Sequence, residues 1–105
     1  MTKQSTFAKG RAAEQKVAQD LKSHGAKVNL SPGSRTTTDI EVKWSTGRHW
    51  LIQVKSGKSP QWPSADELKG LNSRATKVGA TPVVALVEKG KIEYYSARNR
   101  KKLRP

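Results

Sequence analysis

Two neighbouring runs of the sequence bring an acid, an amide and an amine to positions from which they could act together. Residues 38–55 form two runs of alternating polar and apolar side chains on either side of a turn around Gly47, which predicts a β-hairpin. Successive side chains of a strand point to opposite faces. Asp39 therefore lies on one face of the first strand, and Gln53 and Lys55 share one face of the second. We expect these three groups to converge on one side of a small sheet and to form the working site.

A second carboxylate lies inside the apolar stripe of a predicted helix. Residues 7–24 repeat apolar side chains at helical spacing, and Gly25 ends the pattern. At about 100° per residue, Glu14 falls within that stripe. A buried carboxylate is costly unless it is paired with a cation or bound to a metal. Glu14 is therefore a candidate functional residue, with a structural ion pair to Lys55 as the alternative. The stripe consists of Gly10, Ala13, Val17, Ala18 and Leu21.

The charge of the chain points to a polyanionic partner. Its 105 residues include 21 basic and 8 acidic side chains, a net charge of +13. Nucleic acid is the commonest partner of such a protein. A ribosome-associated or membrane-surface protein would have the same charge, but would not explain Glu14. We predict contacts with DNA from residues of the first helix, of a small polar loop at 31–38 that could hold phosphate, and of a second loop at 57–63: Lys9, Arg11, Ser34, Arg35, Lys58 and Trp62.

Other features limit the class of protein. The absence of cysteine excludes disulfides and thiolate metal sites. No apolar run approaches the length of a membrane span or of a signal-peptide core, so we expect a location in the cytoplasm or nucleoid and no membrane partner. Glu41 shares the face of Asp39, and we expect it to pair with Lys43 or Arg48.

The order of predicted elements defines the fold class. A helix, three strands, a second helix and two strands follow one another, and a capping box of Ser64 and Glu67 begins the second helix. We predict a single domain over residues 1–105, an α/β fold with a small mixed five-stranded sheet flanked by helices. Residues 97–105 are predicted to be a basic C-terminal tail.

Several of these residues occur in the order of a known family. Lys9-Gly10, Glu14, the Gly33-Ser34 loop, Asp39 and Gln53-Val54-Lys55 resemble the motifs of the archaeal Holliday-junction resolvases. Those enzymes belong to the restriction-endonuclease-like superfamily, the PD-(D/E)xK nucleases. The chain departs from the pattern twice, because Thr38 replaces the proline and Gln53 replaces the acid of (D/E)xK. Nucleases resembling the Mrr-type restriction enzymes also carry glutamine there.

The resemblance implies a particular chemistry. It implies a DNA endonuclease that hydrolyses phosphodiesters with Mg²⁺ or Mn²⁺, acts on branched DNA and works as a homodimer with two sites. Asp39, Gln53, the Val54 carbonyl and Glu14 would hold the metal, and Lys55 would orient the attacking water and stabilise negative charge. The implied catalytic set is Glu14, Asp39, Gln53 and Lys55.

Two further functions fit the same residues. The loss of a carboxylate at Gln53 is compatible with a catalytically silent DNA-binding module on this fold. A restriction-type or general duplex nuclease is the other alternative, since glutamine also occurs in the Mrr-type motif.

Overall fold

The computed structural model describes residues 6–30 and 40–105, with side chains for 12–29 and 40–105. These residues form two helices and six strands: α1 (Thr6–Ser23), β1 (Lys27–Leu30), β2 (Ile40–Lys43), β3 (His49–Ser56), α2 (Ala65–Val78), β4 (Thr81–Glu88), β5 (Lys91–Ser96) and β6 (Lys102–Leu103).

The strands form one mixed sheet in the order of the sequence, β1-β2-β3-β4-β5-β6. Strands β1, β2 and β3 pair antiparallel, as do β4, β5 and β6. The central pair, β3 and β4, is parallel. A parallel pair cannot be joined by a tight turn and needs a crossover connection, which α2 provides.

Local signals in the sequence explain where the elements begin and end. The hairpin turn between β2 and β3 is closed by hydrogen bonds from Trp44 N to Arg48 O (2.9 Å) and from Gly47 N to Trp44 O (3.0 Å). Gly47 has φ of 97°, a backbone conformation that glycine adopts most readily. Helix α2 begins with the predicted capping box at Ser64, and it ends at Gly79, whose φ is 71°.

Apolar side chains fill the space on both faces of the sheet. The larger cluster lies between α1 and the sheet and includes Val17, Ile40 and Ile52. The smaller cluster lies under α2 and includes Leu71 and Val84. The chain is thus a three-layer α/β/α arrangement, as the alternation of helices and strands predicts.

Four of the five residues predicted for the apolar stripe of α1 are buried as expected, and the burial of Gly10 lies outside what the structure describes. Ala13, Val17, Ala18 and Leu21 are each at most 6% exposed. The helix is also tied to the sheet by the Tyr94 hydroxyl, which donates to Asp20 Oδ2 at 2.7 Å. Burial, with the nearby carboxylate, raises the pKa of Tyr94 well above its ordinary value, so the hydroxyl keeps the proton that it donates.

The sheet has six strands, where the sequence predicted five. The additional strand is β6, which pairs with β5 through Tyr94 and Leu103. It lies within the segment predicted to be a basic tail. Ala97, at the start of that segment, is 7% exposed and belongs to the smaller cluster. Part of the segment therefore packs against the domain.

The burial of α2 predicts a position-dependent loss of stability. Leu71→Ala removes a fully buried side chain and should lower the free energy of unfolding by about 2–5 kcal/mol. Val78 lies on the same helix but is 48% exposed, so Val78→Ala should change stability little. Urea denaturation of both variants measures the difference, and equal losses would contradict this packing of α2.

Candidate active site

The crossover connection determines which residues meet at the end of β3. The chain leaves β3 at Ser56, turns through residues 57–64 and enters α2. The first turn of α2 consequently lies at the carboxyl end of β3, the end at which open α/β sheets commonly carry their sites. Gln53 and Lys55 lie near this end of β3, and Glu67 lies in the first turn of α2.

The three side chains form one hydrogen-bonded group. Glu67 Oε2 accepts from Gln53 Nε2 at 2.5 Å and from Lys55 Nζ at 2.8 Å. The other oxygen of the carboxylate, Oε1, accepts from the backbone N–H of Ser64 at 3.1 Å. Gln53 is buried, whereas Lys55 and Glu67 are each about one-third exposed. We call Gln53, Lys55 and Glu67 the QKE group.

The surroundings of Glu67 favour its ionised form. The hydrogen bond from the Lys55 ammonium is the largest influence, followed by the hydrogen bond from Ser64 N, and together they lower the pKa of Glu67 from 4.5 to about 2. Donors that bond to a carboxylate stabilise its charge in this way. At neutral pH the QKE group thus contains one negative charge, one positive charge and one neutral amide.

The orientation of the Gln53 amide follows from its contact with Glu67. Its nitrogen must face Glu67, because an ionised carboxylate accepts hydrogen bonds and does not donate them. Gln53 Oε1 therefore points elsewhere, and it is buried with no hydrogen-bond partner in the part of the chain that the structure describes. A buried acceptor left in this state costs about 1–3 kcal/mol. An amide oxygen is a ligand that Mg²⁺ accepts, and the metal-ligand role of Gln53 remains a prediction.

Of the other predicted metal ligands on the hairpin, Val54 is described by the structure and Asp39 is not. Asp39 lies outside the described residues, but the next residue, Ile40, pairs with Ile52, the neighbour of Gln53. Val54 pairs with Ala85 in the parallel ladder, and its side chain packs against the larger cluster. The metal-ligand roles of Asp39 and Val54 remain predictions. Among the described residues, no three His, Asp or Glu side chains cluster as a metal site.

Glu14 lies near the carboxyl end of β3, on the face of the sheet that α1 covers. It is half-buried on α1. Its neighbour Ala13 lines a pocket of about 450 Å³ together with Ser56, which is next to Lys55. Glu14 and Lys55 thus lie at one end of the sheet, one in the α1 layer and one beside α2. Its role as a ligand or catalytic group remains a prediction.

This pocket also brings three cationic side chains together. Lys16 of α1, Lys58 after β3 and Lys89 between β4 and β5 line it, and all three are exposed. Lys89 has φ of 48° and Gly90 has φ of 81°. Both positions of this tight turn favour glycine, asparagine or aspartate, so Lys89 adopts a backbone conformation that lysine does not favour. We call these three side chains the lysine pocket.

The remaining residues predicted to bind DNA differ in their surroundings. Trp62 is half-buried, packs on the smaller cluster and lies edge-on to Tyr95 with ring centroids 6.2 Å apart. Arg100 covers the Trp62 ring at 4.7 Å. The backbone of Lys9 and Arg11 lies in α1, but their side chains are outside the described set, as are Ser34 and Arg35 entirely. These DNA contacts remain predictions.

Two contacts differ from the interpretation of the sequence. Glu41 pairs with His49 at 2.8 Å, where Lys43 or Arg48 was expected, because Glu41 and His49 lie diagonally on one face of the hairpin. Glu67 was assigned only to the capping box. The signal that could have identified it is the topology, since the first turn after a parallel strand lies beside the end of that strand.

The similarity of this chain to known proteins lies in its fold. No protein-family model and no curated protein matches the chain. The Holliday junction resolvase of the archaeal hyperthermophile Archaeoglobus fulgidus is similar in structure, with a TM-score of 0.77 and 26% identity over 86% of this chain and 74% of that one. A bacterial homing endonuclease is similar at a TM-score of 0.61 and 20% identity, over 93% and 70% of the two chains. The chain thus has a fold that nucleases use. No helix in residues 6–30 and 40–105 is long and apolar enough to cross a membrane.

The QKE group predicts a loss of stability in acid. Because the pKa of Glu67 falls from 4.5 to about 2 on folding, its ionised form stabilises the fold above pH 4.5, and this contribution disappears as the pH falls through 2. Solvent screening keeps the effect modest. The free energy of unfolding should therefore fall less steeply over this range in Glu67→Gln than in the wild type.

Urea denaturation at a series of pH values measures this slope. Asp66→Asn is the matched control, because it removes an exposed carboxyl from the same helical turn. A slope changed equally by both substitutions would contradict the special role of Glu67.

Proposed function

We propose that this protein is a metal-dependent DNA endonuclease that cuts branched DNA. The observation that carries the proposal is the buried Gln53 oxygen beside Lys55 and Glu67, which has no hydrogen-bond partner among residues 6–30 and 40–105. It lies in a fold similar to that of a Holliday junction resolvase. These surroundings support the Gln-x-Lys motif as the proposed site, because a cation bound to the oxygen would offset the cost of leaving it without a partner.

Mg²⁺, or Mn²⁺ in its place, would be held by oxygen ligands at this site. We assign Asp39 as the anionic ligand, with Gln53 Oε1, the Val54 carbonyl and Glu14 as the other protein groups. These are hard oxygen donors, which magnesium prefers. When bound, such an ion lowers the pKa of a water molecule and neutralises charge on the scissile phosphate.

Lys55 is the cationic group of the proposed mechanism. Its ammonium is held at 2.8 Å from Glu67, so its position is restricted before DNA binds. Among the described residues, Glu67 is the acceptor that this ammonium bonds, and an ammonium has two further N–H donors for a water molecule and a phosphate oxygen. We infer that Lys55 orients the attacking water and stabilises the negative charge that develops on the phosphate.

Contacts with the DNA backbone would come from residues on both sides of the proposed metal site. Ser34 and Arg35 are proposed to hold the phosphate next to the one that is cut. The lysine pocket lies at the same end of β3 and concentrates positive charge beside Ser56. Lys9, Arg11 and Trp62 complete the proposed DNA-binding set. Cutting a junction on two strands requires two sites, which a two-fold homodimer would supply.

A second function is favoured by the identity of Gln53 itself. A neutral amide replaces the carboxylate of the (D/E)xK motif, and a site with a weaker hold on its metal could bind DNA without cutting it. A restriction-type or general duplex nuclease is a third possibility, and the homing endonuclease supports only the shared fold. Cleavage and binding assays separate the three.

The proposed function predicts metal-dependent cleavage of branched DNA. The purified protein should nick a labelled four-way junction symmetrically in Mg²⁺ and leave linear duplex of the same sequence intact. Asp39→Ala and Lys55→Ala should each abolish cleavage while retaining junction binding, because they remove the anionic ligand and the cation that stabilises the transition state. Gel electrophoresis after incubation with Mg²⁺, Mn²⁺ or chelator measures cleavage by the wild type and by both variants.

Other outcomes select another function. Metal-dependent cleavage of both substrates would indicate a general or restriction-type nuclease. Salt-sensitive binding with no cleavage in either metal would indicate the binding module. Cleavage that persists in Asp39→Ala would contradict the proposed metal site.

The proposed DNA contacts also predict how binding depends on salt concentration. If Lys58 contacts a phosphate, Lys58→Gln should weaken binding to junction and duplex alike and reduce the slope of log K against log salt by about 1. Binding is measured by fluorescence anisotropy in chelator. Lys27→Gln is the control, because Lys27 is exposed and lies opposite Lys43, at the other end of the sheet. An unchanged slope in Lys58→Gln would exclude Lys58 from the interface.

A further inference from the structure

We propose that Glu67 is a positioning residue of the active site, and that it supplies the negative charge that the motif lacks at Gln53. The inference rests on the proposed nuclease function and names a residue that the motif does not contain. Its basis is a single oxygen, Oε2, which accepts hydrogen bonds from both Gln53 and Lys55.

The geometry lets Glu67 determine the orientation of both partners. The bond from Gln53 Nε2 fixes which end of the amide faces the carboxylate and so aims Oε1 away from α2. The bond from Lys55 Nζ is charge-assisted, the stronger class of hydrogen bond. Groups that orient metal ligands in this manner commonly determine how well the ligands bind.

Glu67 is itself held firmly. Its second oxygen accepts from Ser64 N at 3.1 Å, and its own backbone N–H donates to Ser64 Oγ at 3.2 Å. The carboxylate is thus fixed at the first turn of α2, while its outer oxygen reaches β3. A side chain restricted at both oxygens can impose its geometry on its neighbours at a small additional cost in conformational entropy.

The charges of the group support the same assignment. The charges of an acidic residue at position 53 and of Lys55 would sum to zero. Gln53, Lys55 and Glu67 also sum to zero, because Glu67 is ionised and Gln53 is neutral. The charge around Lys55 is therefore that of a site with an acid in the motif, with the carboxylate placed on the helix and not on the strand.

A charge exchange within the QKE group tests the inference. Glu67→Gln should lower kcat on a four-way junction and weaken Mg²⁺ binding by about 10- to 100-fold, with KM for DNA little changed. The double variant Gln53→Glu with Glu67→Gln returns one carboxylate and one amide to the pair in exchanged positions. It should recover most of the lost Mg²⁺ affinity and part of kcat. Isothermal titration of the DNA-free protein with Mg²⁺ provides a readout independent of activity.

A helix-cap variant separates positioning from folding. Ser64→Ala removes the hydroxyl that caps α2 and retains the backbone N–H of residue 64 that donates to Glu67 Oε1. It should lower the melting temperature without the loss of Mg²⁺ affinity. In Glu67→Gln, the NMR signals of the Gln53 side-chain amide should also shift, since the charge-assisted bond is lost; Asp66→Asn should leave them unchanged.

Each alternative outcome overturns the inference. If Glu67→Gln destabilises the fold as Ser64→Ala does but retains wild-type kcat and Mg²⁺ affinity, Glu67 is only a cap. If Glu67→Gln cleaves faster, Glu67 restrains Lys55 and does not assist it. A wild type that neither binds Mg²⁺ nor cuts DNA contradicts the proposed function and this inference together. A wild type that cuts, with an unaffected Glu67→Gln, contradicts this inference alone.

Discussion

The parallel pairing of β3 with β4 is the constraint on which the rest of this molecule depends. Neighbouring strands elsewhere in the sheet run antiparallel, so turns suffice to join most of them. Parallel strands need a chain that travels back along the sheet, and a helix accomplishes this while burying an apolar face. The connection therefore dictates that α2 begins beside the end of β3. The capping box, the QKE group and part of the smaller cluster all follow from that placement.

Alternation along β3 divides structural from chemical roles. Trp50 and Ile52 point into the larger cluster beneath α1, whereas Gln53 and Lys55 project toward the start of α2. Leu51 shares the second face but lies deeper, against Leu71 in the smaller cluster. The apolar residue of this face packs against α2, and the polar residues contact the first turn of the same helix. Changing the register of β3 by one residue would exchange the two faces, so core packing also fixes which side the site occupies.

The elements that follow local rules were predictable, and those that depend on distant parts of the chain were not. The hairpin, α1 and α2 appear in the sequence because alternation, helical spacing and a capping box are local patterns. Glu67 illustrates the limit. Its capping role involves a residue three positions away, but its bonds to Gln53 and Lys55 span 14 and 12 residues. No periodicity connects them, and only the crossover brings them together. Strand β6 was missed for a related reason, since Lys102-Leu103 forms a strand only because β5 offers it an edge.

The energetic cost of the site is consistent with its proposed use. The Gln53 oxygen is buried without a partner among the described residues, and Lys89 lies at a positive φ beside two further lysines. Asn72 Oδ1 and the positive φ of Arg100 are comparable features elsewhere in the described residues. Each feature lowers stability in the free protein, by about 1–3 kcal/mol for the orphaned oxygen and by a similar amount for the strained backbone. The costs at Gln53 and Lys89 both fall at the carboxyl end of β3, which α1 and α2 cover on opposite faces of the sheet. A cation bound to the oxygen and a phosphate bound among the lysines would each offset the cost at its own position. Binding of a metal and a polyanion at this end of the sheet would therefore recover part of the stability that these two features cost.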